Sequence, residues 1–263
     1  MRRYRTLLFS FLVLANSAFA NTFTTDLTDL WWNANESGWG VTATHQREVV
    51  FLTFFVYGSD NKPTFYTAST SYAGLTGQGA LIFSGPIYQT SGPWLGTFFI
   101  PAAVGVRQVG NATFSAFIDA ATLTYSVDGT PVTKALTRQT FRNNDLTGQY
   151  GAIGNATLSG CSNPAMNGTY EVSMVIGIAT SSTTFSMTTD TGVSFCTHAG
   201  SYTQTGRMGR SKGTVSCPGQ SLATYDLLEI EATPRSFTAR VSYIYGSGSA
   251  CLQGAGYLVG AKR

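Results

Sequence analysis

Trp31, Trp32, Asn33, Glu36, Ser37, Trp39, His45 and Gln46 gather three of the four tryptophans and one of the two histidines into sixteen residues. Indole faces stack on sugars and flat ligands, while carboxylate and amide side chains supply directed hydrogen bonds. The candidate ligand-binding residues are therefore Trp31, Trp32, Asn33, Glu36, Trp39, His45 and Gln46, holding a small apolar or sugar-like molecule. A second reading makes Glu36 the working residue of a cell-envelope hydrolase. Glycoside hydrolysis needs two facing carboxylates, and Asp29 or Glu48 is the nearest companion in sequence. A third is structural: Trp31 and Trp39 plug a barrel, Glu36 caps a turn and His45 is paired at a strand end. Such a barrel is purely structural or protease-inhibiting and has no small-molecule cavity.

Other chemistries find little support. No G-x-S-x-G elbow marks a nucleophilic serine. His45 and His198 lie in different halves, and the cysteines lack the close pairs of a zinc site. Gly206-x-x-Gly209 lacks the following helix that would make it a phosphate cradle. No catalytic set, metal site or cofactor follows from the residues, and a non-enzymatic binding or interaction module is the leading expectation.

The elements that must position these residues are strands. Only 11% of residues are charged, far below the usual quarter, and Gly, Thr, Ser and aromatics replace the strong helix formers. In the first half, strands are expected over 39–45, 49–57, 64–72, 80–88, 96–100, 111–117, 122–127 and 132–141. Residues 49–57 are apolar on both faces, which predicts a strand covered twice. Asp128-Gly129 is a strong hairpin signal. The second half continues with strands near 170–176, 185–187, 193–204, 212–217, 222–232, 237–245 and 250–259.

An internal echo divides the chain. Asp26-Leu27-Thr28-Asp29-Leu30-Trp31 is answered 119 residues later by Asp145-Leu146-Thr147-Gly148-Gln149-Tyr150. A cut at the polar Arg142-Asn143-Asn144 assigns 21–143 to a first domain and 144–263 to a second, which holds all four cysteines. A turn at Gly206-Arg207 would set Cys196 opposite Cys217, leaving Cys161 for Cys251. The predicted fold is all-β: two tandem, small, antiparallel up-and-down barrels of about eight strands each, similar in shape to lipocalins and avidins.

Arg2, Arg3 and Arg5, the apolar run that follows and Ala18-Phe19-Ala20 are the parts of a signal peptide over 1–20. Its removal takes three of 16 basic residues and none of the 13 acidic ones, leaving 13 of each. The neutral remainder gives no basic patch for nucleic acid. Export to the periplasm or beyond suits an even cysteine count, with no membrane span left after processing. The expected partner is a small molecule or carbohydrate, or an envelope or extracellular protein.

Three runs occur in order: Glu36-Ser37-Gly38-Trp39-Gly40 with His45-Gln46, Ser84-Gly85-Pro86-Ile87-Tyr88, and Lys134-Ala135-Leu136-Thr137-Arg138. Between residues 30 and 141 this pattern resembles an uncharacterised repeat of exported Gram-negative, mainly β-proteobacterial, proteins with an E-S-G-W-G…H-Q signature. The resemblance implies a shape and a compartment, and no reaction. Ala34 departs from it, standing where the repeat usually has proline, which should loosen that turn.

Overall fold

The computed structural model describes residues 25–246 and 249–263; the expected signal peptide lies outside them. Sixteen strands form two closed antiparallel barrels in which each strand pairs with its sequence neighbours. The first contains β1 (Asp29–Trp32), β2 (Gly40–Gln46), β3 (Val49–Tyr57), β4 (Pro63–Leu75), β5 (Leu81–Ser91), β6 (Gly105–Ala116), β7 (Ala120–Val127) and β8 (Thr130–Arg138). It closes where Trp31 and Trp32 of β1 pair with Arg138 and Thr137 of β8. The second contains β9 (Gly148–Ser159), β10 (Gly168–Thr180), β11 (Thr184–Asp190), β12 (Phe195–Thr205), β13 (Met208–Ser216), β14 (Ala223–Ala232), β15 (Ser236–Tyr245) and β16 (Gln253–Lys262), and closes through β16 and β9. Closure removes most of the edge that an open sheet would expose.

One expected strand is absent and two unexpected ones are present. Residues 96–100 are not a strand but part of a long loop between β5 and β6. Pro93 and Pro101 flank them, and neither can donate to a sheet ladder. Conversely, β1 and β9, the opening strands of the barrels, were not anticipated. Their signals are weak: β1 is four residues long, and β9 carries Gly148, Gly151 and Gly154.

Alternation along each strand sends one face inward. In β3, Val50, Leu52 and Phe54 are buried, and they join Trp31, Phe83 and Phe114 in one continuous core. The outward face of β3 is uncovered, contrary to the expected double covering: Phe51, Phe55 and Tyr57 are exposed. The second barrel is filled around Tyr150, Ile176, Met187, Tyr225 and Phe237.

The hexapeptide echo has a common structural role. Leu27 and Leu146 are completely buried. Four residues on, the Trp31 indole donates to the Leu27 carbonyl at 3.0 Å, and the Tyr150 hydroxyl donates to that of Leu146 at 2.8 Å. Each segment folds inward and stoppers its barrel. Arg138, stacked 4.6 Å over Trp31, secures the first stopper by donating to the carbonyls of Asp26 and Ile118 and to the Asp29 carboxylate.

That stoppered end carries the second barrel. The β12–β13 turn is Gly206-Arg207, with Gly206 at φ 62°. Arg207 reaches across to the Thr28 carbonyl at 2.8 Å and the Asp26 carboxylate at 2.6 Å, and it also pairs with Glu231. The same turn fixes the β12–β13 register, with Thr205 opposite Met208. That register brings Cys196 to Cys217, which are disulfide-bonded, and a second disulfide joins Cys161 to Cys251. Among the described residues, no helix is long and apolar enough to cross a membrane.

Candidate functional site

The seven candidate residues do not form one site. Neighbouring residues of a strand face opposite ways, so Trp31 is completely buried while Trp32 lies partly exposed outside the barrel. Trp31 meets Phe114 edge-on at 5.4 Å; it is core and offers a ligand no face. His45 and Gln46 end β2 at the stoppered rim, whereas Trp39 precedes β2 at the other rim. Six residues of strand separate them by about 20 Å. His45 donates from Nε2 to the Arg47 carbonyl at 2.7 Å and accepts at Nδ1 from the Leu27 amide at 3.3 Å. Nδ1 thus pins the stopper segment and Nε2 the β2–β3 turn, and Gln46 is exposed beside them.

Asn33, Glu36 and Trp39 do come together, in the β1–β2 loop at the free rim. The Glu36 amide donates to the Asn33 carbonyl at 3.0 Å, and the Asn33 side chain accepts from the Asn35 amide at 2.9 Å. Gly38 has φ +111°, where a Cβ would be strained. The turn delivers the Trp39 indole N–H to Glu36 Oε2 at 3.1 Å, and Lys134 from β8 binds the same oxygen at 2.6 Å. Lys134 also sits 5.6 Å from the Trp39 ring centre. Its hydrogen bond, with help from its charge and from Trp39, holds the Glu36 carboxyl below the usual carboxylate range. A general acid of glycoside hydrolysis needs the opposite shift. Burial, with Tyr66 and Glu36 nearby, pushes the neighbouring Tyr125 phenol upward. The E-S-G-W-G run therefore builds a cross-linked cap on the barrel mouth. Lys134, Tyr66 and Tyr125 complete that cap and were not assigned to the site; inward alternation of Tyr125 along β7 was the available signal.

Several open clefts lie elsewhere. One, of about 430 Å³, is at the far end of the second barrel beside Tyr245 and Cys251; another, of about 280 Å³, follows the linker near Arg142 and Lys262. Among the described residues, no three His, Cys, Asp or Glu side chains are placed to hold a metal ion.

The dominant surface feature of the free rim is apolar. Beyond Tyr88 in β5 and Gln108 in β6 these strands pair only with each other, so their hairpin rises above the rim. It carries the loop 92–104, in which Trp94, Leu95 and Phe98 are 77%, 89% and 88% exposed. Tyr57, Phe55 and Phe65 on β3 and β4 continue the apolar surface at the same end. From residue 63 to residue 106 there is no Asp, Glu, Lys, Arg or His. The strand expected over 96–100 falls in this loop, and the charge-free run of 44 residues was the overlooked signal.

No protein-family model, curated protein or solved structure matches this chain.

Proposed function

We propose that this protein is an exported, non-enzymatic interaction module whose working surface is the free end of the first barrel. One observation carries the reading: a raised hairpin exposes Trp94, Leu95 and Phe98 to solvent at the end away from the second barrel. Monomeric proteins seldom leave so much contiguous apolar surface uncovered, and where they do it usually serves binding. The polar residues of the mouth support the same reading, because Glu36, Lys134 and Trp39 are engaged with one another. The filled cores favour a surface contact over a ligand held inside. The two disulfides fit an oxidising compartment, and with the leader-like first twenty residues they support export to the periplasm or the outside. The E-S-G-W-G pattern supports membership of the exported repeat family it resembles.

The test is site-specific photocross-linking in the envelope of a bacterium expressing the full chain. Benzoylphenylalanine in place of Phe98 should give a discrete envelope adduct, and the same group in place of Thr122, exposed on β7, should not. Equal labelling from both positions, or none from either, would remove the reading.

A further inference from the structure

We infer that the raised β5–β6 hairpin is a membrane-interface anchor, and that the partner of the free barrel end is the lipid surface itself. This rests on the reading of that end as the working surface, and it adds the chemistry of what is bound.

Charge marks out the part that would enter. Arg107 is the first charge on β6, the strand that descends from the loop. It lies at the foot of the hairpin and donates to Asp128 at 2.5 and 3.0 Å and to Gln89 at 2.8 Å. Above this group the hairpin and its loop carry no charge at all. At the neighbouring β3–β4 turn, Lys62 lies 3.9 Å from Asp60. The charges at the rim are thus of both signs and paired. They match a zwitterionic headgroup layer and give no field to attract an anionic partner.

Side-chain chemistry also favours lipid over a protein groove. Between residues 93 and 106 only Trp94 and Thr97 have side chains able to hydrogen-bond. Protein interfaces ordinarily carry polar rims and about one hydrogen bond per 100–200 Å². A convex tip of Trp, Leu and Phe at nearly full exposure instead has the composition of segments that lie in the headgroup and acyl boundary, roughly 5–10 Å deep. Tryptophan prefers that boundary because one edge is apolar and the indole N–H stays in reach of water or headgroups.

Backbone polarity is the usual obstacle to burying a loop in lipid, and this loop satisfies part of its own. The Trp94 carbonyl accepts from the Thr97 amide at 3.1 Å and from its hydroxyl at 2.9 Å. A single 3-10 turn at Pro101–Ala103 closes two more bonds, from Ala103 to Ile100 and from Val104 to Pro101. Pro93 and Pro101 have no amide hydrogen to leave unpaired. Gly96 lets the Trp94 ring fold back across the loop, since a Cβ there would meet the indole at 2.2 Å.

The experiment is flotation of the full mature chain with phosphatidylcholine vesicles, at low salt and at about 0.5 M NaCl, where charge contacts beyond a few ångströms are screened. The wild type should float equally at both salts. The variant Trp94→Ser with Phe98→Ser should lose at least tenfold in partitioning with an unchanged melting temperature, and Phe98→Leu should keep it. Absence of flotation by the wild type overturns the proposal. If Phe98-directed cross-linking still finds an envelope protein, the working surface survives and only its lipid partner falls; if it finds nothing, both fall. Equal flotation of the double variant, or a lipid-free dimer that the double variant abolishes, also overturns it, the latter in favour of a second copy of the chain.

Discussion

Lowering the pH from 7 to 4 should weaken the second barrel through a single residue, His198. This side chain is 2% exposed inside the barrel. Its Nδ1–H donates to the Met187 carbonyl at 3.3 Å, so Nε2 is bare and accepts from the Tyr243 hydroxyl at 3.2 Å. The ring also meets Tyr225 edge-on at 5.2 Å. None of these neighbours rewards a positive charge beyond the one carbonyl. Burial therefore depresses the imidazole from 6.5 to about 4. Above pH 6.5 the residue is neutral whether the chain is folded or not, and contributes nothing to pH dependence. Between 6.5 and 4 the unfolded chain takes up a proton that the folded barrel refuses, so stability falls as pH falls. At 1.36 kcal/mol per unit the loss reaches about 3 kcal/mol near pH 4 and then levels off. Asp26, whose carboxyl is held low by hydrogen bonds from Thr28 and by Arg207 against the opposing effect of burial, loses its contribution only below its ordinary value of 3.8. The two windows are thus separable. All four tryptophans lie in the first barrel's sequence, so the second is followed by hydrogen exchange on peptides from β12 and β15 at pH 7, 6, 5 and 4.5. His198→Gln can donate to Met187 and accept from Tyr243 without titrating, and it should abolish the dependence. Exchange in β12 that gains no pH dependence beyond the intrinsic chemistry, or a His198→Gln variant with the wild-type slope, would refute the reasoning.

Other consequences follow from the same physics. Arg138→Gln should destabilise the first barrel by about 3–5 kcal/mol, because it leaves a nearly buried Asp29 carboxylate and several stopper carbonyls without their partner; urea unfolding followed by tryptophan fluorescence reads it. Replacing Cys161 and Cys251 by alanine should cost about 4.5 kcal/mol and replacing Cys196 and Cys217 about 3 kcal/mol, given closed segments of 90 and 21 residues. Both losses should appear in exchange from second-barrel peptides and leave tryptophan unfolding in place. Arg207→Ala should release the clasp between the barrels, so trypsin cleaves near Arg142 faster while each barrel keeps its own unfolding midpoint; an unchanged cleavage rate would show that the clasp is dispensable.

How the sequence encoded this molecule differs from residue to residue. The β12–β13 hairpin was legible because a turn at Gly206-Arg207 and two cysteines at equal distances from it permit one register. Asp128-Gly129 was legible for a similar reason: both residues adopt positive φ, 47° and 82°, as a tight hairpin requires. The echo at residues 26 and 145 marked the halves, yet the strands that begin within it were missed, since their lock is a side chain bonding four residues back and not an alternating pattern. Adjacency misled where the tryptophans cluster. Trp31 and Trp32 point to opposite faces, and a seven-residue strand carries His45 away from Trp39. The apolar outer face of β3 suggested a second covering layer, because hydrophobicity reports what avoids water and not what eventually shields it. The same ambiguity concealed the 92–104 loop, whose aromatics are as suited to an interface as to a sheet.

The most direct measurement of where this protein works is hydrogen exchange of the full chain, at exposures of seconds, with and without envelope membrane vesicles. The account predicts slowed exchange confined to the 92–104 loop and the adjoining β3–β4 hairpin. Protection centred on the Asn33–Glu36–Trp39 turn, protection in the second barrel alone, or no protection anywhere would contradict it.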